Sequence, residues 1–155
     1  MPHRVILIAA VTVDGYVARH NLEITNWSKD LHLFKAQTMG WPIIMGSNTF
    51  KTLSGELKGR EVIVVHRNDD PKSIIEDISK NQCFVIGGGK TYYRFRNQLT
   101  HIHVTPHPLV FGRGVPLFDG NKKEALELKF KKLVEVDKES GIFQYQYEII
   151  RQCTA

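Results

Sequence analysis

Hydrophobic and polar positions divide the chain into short blocks with different periods. Residues 5–13, Val-Ile-Leu-Ile-Ala-Ala-Val-Thr-Val, form an apolar run broken only by Thr12, the pattern of a strand covered on both faces. Residues 14–26 open on Asp14-Gly15 and stay largely polar, which reads as a loop. Ser28 is placed to cap a helix reaching about Met39, with Asp30 in its first turn. Leu31, Phe34 and Thr38 fall near one face of that helix. Gly40 ends it, and Pro42-Ile43-Ile44-Met45 is a second strand. Residues 46–49 open a short helix through Leu53, and residues 61–65 form a third buried strand. Asp69-Asp70-Pro71 turns into a helix near 72–79. A fourth strand at 83–86 runs into Gly87-Gly88-Gly89 and a helical stretch at 91–96. Ile102 and Val104 alternate with polar residues in a fifth strand, 100–105. A loop rich in proline and glycine, 106–120, precedes alternating strands at about 126–136 and 142–150, joined by a turn at Glu139-Ser140-Gly141. Strands alternating with helices, then a hairpin, predict an α/β three-layer sandwich. Its central sheet should be mostly parallel with an antiparallel C-terminal hairpin.

Composition narrows the picture. A chain of 155 residues predicts one domain, 1–155, able to bury a core without disulfides. Twenty-one Lys+Arg against sixteen Asp+Glu give a net charge of +5. The basic residues are scattered; Lys122, Lys123, Lys129, Lys131 and Lys132 read as solvated strand edges, so no nucleic-acid partner is expected. The run at 5–13 is too short for a membrane helix and lacks the small-residue cleavage site of a signal peptide. Cys83 and Cys153 make no CxxC pair. His101, His103 and His107 read as strand alternation, and no metal is expected. The expectation is a reduced cytoplasmic protein without a membrane partner.

In such sheets ligands bind beyond the carboxyl ends of the strands. After the second strand, Gly46-Ser47-Asn48-Thr49 exposes backbone N–H groups at a helix start, where anions are favoured. After the third, His66-Arg67 sets a permanent cation in a loop. After the fourth, Gly87-Gly88-Gly89 admits close backbone approach; a tight turn would need glycine equally. Together these suit a dinucleotide with a pyrophosphate and one further phosphate, although the GxGxxG fingerprint is absent. Asp30 has two readings. It is either an ordinary first-turn acid favoured by the helix dipole, or a pocket carboxylate that grips a two-donor heterocycle edge through parallel charge-assisted hydrogen bonds.

The order of these elements resembles the dihydrofolate reductase family. The resemblance rests on Ile8-Ala9-Ala10 followed by Asp14, on Asp30-Leu31 with Phe34-Lys35 and Thr38, and on Pro42-Ile43-Ile44-Met45-Gly46 with Thr49-Phe50. Leu57-Lys58-Gly59-Arg60, Val85-Ile86-Gly87-Gly88-Gly89 with Tyr92, and a strand bearing Thr105 complete it over residues 5–105. It implies NADPH-dependent reduction of 7,8-dihydrofolate to tetrahydrofolate, by hydride transfer to pterin C6 with protonation at N5. Asp30 would bind the 2-amino and N3 edge of the pterin, and Thr105 would hydrogen-bond its carboxylate. Leu31, Phe34 and Leu57 would line the ring slot, and Arg60 would hold the glutamate α-carboxylate. Ile8 and Ile86 would offer carbonyls to the pterin. Ala10 would hold the carboxamide of nicotinamide, with Tyr92 beside that ring. Gly46, Ser47, Asn48 and Thr49, with Gly87, Gly88, Gly89, Lys90 and Thr91, would cradle the pyrophosphate. His66 and Arg67 would face the 2′-phosphate.

Two stretches depart from the family. Trp27 stands three positions before Asp30, where Pro-Trp at five is common, so the loop over nicotinamide is expected to be arranged differently. Ser47 replaces a basic residue, which shifts 2′-phosphate binding onto Arg67. Residues 105–118 and Val13-Asp14-Gly15-Tyr16 are similar to the NADPH-dependent reductase domain of riboflavin biosynthesis, the alternative reading. A non-catalytic nucleotide-binding module of the same fold is a further one. The chain is expected to be a monomer or a homodimer.

Overall fold

The computed structural model describes residues 1–53, 57–122 and 124–151; Lys123 and Cys153 lie outside them. The apolar run forms β1 (Arg4–Thr12) at the centre of a seven-stranded sheet. Its other members are β3 (Ile43–Gly46), β4 (Val62–Val65), β5 (Gln82–Gly87), β6 (His101–His107), β8 (Glu127–Asp137) and β9 (Ile142–Ile150). They lie in the order β4-β3-β5-β1-β6-β9-β8. From β4 to β6 the pairs are parallel; β9 runs antiparallel to β6, and β8 to β9. The expected sheet and terminal hairpin are present.

Alternation along β1 explains the layers. Val5, Leu7, Ala9 and Val11 enter one core with Ile75, Tyr92 and Phe95. Ile75 comes from α3 (Pro71–Glu76), Tyr92 from α4 (Gly89–Arg94), and Phe95 is the C-cap of α4. Ile6 and Ile8 enter a second core with Ile43, Met45, Phe84 and Leu57. That core is covered by Phe34 of α1 (Leu31–Thr38) and Leu53 of α2 (Ser47–Leu53). Burying each such side chain is worth about 1.5–3 kcal/mol. Cys83 lies inside the first core, where burial pushes its thiol up to about 12.

Several boundaries differ from the sequence-based expectation. Val13 is exposed and β1 stops before it. The third strand, β4, is only half-buried apart from Val65 because it is the sheet edge. α3 is short, with Asp70 capping the Ser73 N–H. α1 begins at Leu31 rather than beyond Ser28, because Ser28 is engaged by Thr25 and the Lys29 N–H by His107. The two expected loops are zipped together. β2 (Tyr16–Ala18) and β7 (Val115–Pro116) form an antiparallel ribbon. The Asp14 carboxylate accepts from Thr12 Oγ1 at 2.6 Å and from the Gly112 N–H at 2.8 Å, and these bonds hold its pKa below the usual range. The histidines at 101, 103 and 107 do alternate along a strand. Burial, aided by Arg4 and His101, depresses His103 to about 4. Among the described residues no helix is long and apolar enough to cross a membrane.

Candidate active site

The chain leaves β1 toward β3 on one side, and β6 later fills the other, so the strand order reverses at β1. A crevice opens beyond the carboxyl ends of β1, β3 and β5, as expected at such a reversal. It is a cleft of about 310 Å³. Ile8 and Ala10 reach it from β1, Gly46 from β3, and Ile86 and Gly87 from β5. α1 supplies Leu31 and Phe34, α2 supplies Ser47, Asn48 and Thr49, and Gly88 precedes Gly89, Lys90, Thr91 and Tyr92 of α4.

Asp30 reaches the cleft from the N-cap position of α1. Its side chain makes no capping hydrogen bond, although the N-cap position is itself one where the helix dipole favours an acid. The residue is 7% exposed, and among the described residues no Lys or Arg forms an ion pair with it. Burial raises its pKa above the usual carboxyl range and outweighs the opposing influence of its neighbours. The Thr105 hydroxyl is fully buried and has no hydrogen-bond partner of good geometry among the described residues. Tyr92 donates its hydroxyl hydrogen to the Ile8 carbonyl at 2.7 Å.

Gly87 has φ +139°, and a Cβ there would meet Thr49 Oγ1 at 3.3 Å. Residues at the starts of α2 and α4 line the same cleft. A bulky residue at Gly87 would fill the space between the two helix starts.

Five expected site residues stand back from the cleft. Leu57 is buried behind it in the second core. Arg60 donates to Thr38 Oγ1 at 2.8 Å and to the carbonyls of Lys35 and Lys58. His66 and Arg67 lie in an exposed turn whose carbonyls accept from Arg94. Thr105 sits behind Asp30 on β6. The 14–27 loop, expected over the site, supplies one wall: Val17, Glu23, Thr25 and Trp27 line the cleft, with Val115 from β7, and sequence reasoning gave none of them a site role. Glu23 accepts from the Arg19 N–H and guanidinium and from Trp27 Nε1. Burial pushes the Glu23 carboxyl up, but these bonds outweigh it and leave the pKa lowered. The i, i+4 spacing of Arg19, Glu23 and Trp27 was the available signal.

Residues 4–141 match the family model described as dihydrofolate reductase. The chain is 31% identical over 129 residues to a dihydrofolate reductase of Bacillus subtilis (strain 168), covering 72% of this chain and 75% of that protein. Two solved structures share the fold. One is a dihydrofolate reductase of Enterococcus faecalis complexed with NADP(H), with a TM-score of 0.70, 17% identity and coverage of 94% and 96%. The other is a riboflavin biosynthesis protein of Shewanella sp. PV-4, with a TM-score of 0.64, 20% identity and coverage of 96% and 99%.

Proposed function

The chain belongs to the dihydrofolate reductase family and is an oxidoreductase, and on that premise we propose that it reduces 7,8-dihydrofolate to 5,6,7,8-tetrahydrofolate at the expense of NADPH. The observation that carries this reading is the buried carboxylate of Asp30 in the cleft, with no Lys or Arg ion-pair partner among the described residues. A carboxylate held there accepts two parallel N–H bonds from the 2-amino and N3 edge of a pterin. Desolvation makes that acid costly to leave ionised alone, so binding is strongest for a heterocycle that carries positive charge.

When bound, NADPH supplies the hydride that goes from nicotinamide C4 to pterin C6. The protein's own residues position the rings. Phe34 and Leu31 form the apolar slot, and Ile8 of β1 and Ile86 of β5 present carbonyls to the pterin. Gly87, Gly88, Gly89, Thr49 and Lys90 hold the pyrophosphate, and the Ala10 backbone holds the carboxamide. Asp30 favours the protonated pterin electrostatically, and a water hands the proton to N5. Arg60, already braced by Thr38, Lys35 and Lys58, keeps N–H groups free for the glutamate carboxylate. Arg67 meets the 2′-phosphate.

The test follows NADPH absorbance with dihydrofolate and, separately, with the ribosylaminopyrimidine phosphate of riboflavin synthesis. Turnover of dihydrofolate is expected. Turnover of the pyrimidine alone would move the chain to the other reductase class.

A further inference from the structure

His107 lies two residues beyond Thr105 at the end of β6 and is 1% exposed. It does not line the cleft, yet it touches both neighbours of the acid. Its Nε2 accepts from the Lys29 N–H at 2.9 Å, and its Nδ1 lies 2.8 Å from the Thr105 carbonyl oxygen. The carbonyl can only accept and the amide can only donate. Both bonds therefore require the neutral ring with its hydrogen on Nδ1. The edge of Trp27 packs on the ring at 5.3 Å, and Phe111 packs on Trp27 at 5.4 Å. Glu23 fixes Trp27 from the loop side.

We propose that His107 is a positioning residue for Asp30, its Nδ1–H tautomer stitching the backbone before the acid to the strand that carries Thr105. Lys29 and Asp30 precede the first helical turn, so helix bonds do not hold the Lys29 N–H. The bond to His107 is what fixes that peptide, and with it the direction in which Asp30 leaves the chain. A small misplacement of an anchoring group lowers turnover far more than it weakens binding elsewhere. The proposal rests on the reading of Asp30 as the substrate anchor.

The experiment pairs His107→Leu, which keeps bulk and removes both polar atoms, with His107→Gln, which keeps a donor and an acceptor. His107→Leu should lower kcat for dihydrofolate about tenfold or more, while KM for NADPH stays within about twofold. His107→Gln should recover most of that kcat. Equal kcat in His107→Leu and the parent overturns the proposal, as does a fall in kcat that His107→Gln does not relieve. Should His107→Leu fail to fold, the parent decides through ¹⁵N NMR of its histidines. An Nδ1–H tautomer for His107 is expected, and an Nε2–H tautomer overturns the proposal. That reading is taken without substrate. An inactive parent with the Nδ1–H tautomer would thus count against dihydrofolate as substrate and not against the stitch.

Discussion

The Tyr92 hydroxyl reaches across from α4 to the Ile8 carbonyl at 2.7 Å, tying that helix to the central strand at the cleft. Both residues are buried. Burial, with the Asp30 charge adding to it, pushes the phenol far above its ordinary pKa, so it stays a donor. Tyr92→Phe removes that donor and leaves the carbonyl to face the cleft alone. The variant should lose about 1–3 kcal/mol of stability, the cost of an unsatisfied buried acceptor. Urea unfolding checks this, and a bound ligand that supplies a donor to Ile8 should reduce the loss.

Asp30→Asn keeps the shape of the side chain and removes the charge. Its kcat for dihydrofolate should fall by about 100-fold or more near neutral pH. The gap from the parent should narrow toward acid, where protons from solution take over the task. A pH series of kcat for both proteins reads this out.

The same substitution should stabilise the ligand-free protein. Asp30 has a folded-state pKa raised by burial, so the folded state binds its proton more tightly than the unfolded chain. The stability this contributes is complete below the unfolded value, near 3.8, and is lost as pH rises through the folded one. At neutral pH the parent therefore carries a penalty that Asp30→Asn lacks. The variant should melt a few degrees higher at pH 7, and the two curves should meet below about pH 3.5.

Arg94 donates to the carbonyls of His66, Arg67 and Asp69 at 3.1, 3.4 and 2.6 Å. It holds the turn that presents Arg67. Arg67→Ala should raise KM for NADPH about tenfold and leave KM for NADH nearly unchanged. Arg94→Gln should shift the same ratio in the same direction by a smaller factor, with kcat unaltered. Initial rates with both cofactors decide.

The strands of the parallel core were legible because each is a block of apolar residues bounded by glycine, proline or charge. The hairpin was legible because residues of β8 and β9 alternate. Two- and three-residue strands such as β7 and β2 have no period to detect, so the ribbon was read as loop. Asp30 was singled out as a candidate through the spacing of the motifs around it, and it lines the cleft. Its place ahead of the helix depends on His107, a contact 78 positions distant that no local pattern encodes. Leu57 and Arg60 follow the family motif, but the motif does not encode that Leu57 packs into the second core or that Arg60 bonds Thr38 and Lys35 of α1.

The ribbon of β2 and β7 carries a lesson for engineering. Tyr16 pairs with Pro116, Ala18 with Val115, and the Leu117 N–H binds the Gly15 carbonyl. Val115 in turn presses on Gly89, where an added Cβ would lie 2.3 Å from the Pro116 carbonyl oxygen. Transplanting either surface segment alone from another reductase would leave its mate without a template. Chimeras should exchange residues 14–27 and 106–120 as a single cassette, though the 78 residues of scaffold from 28 to 105 separate them.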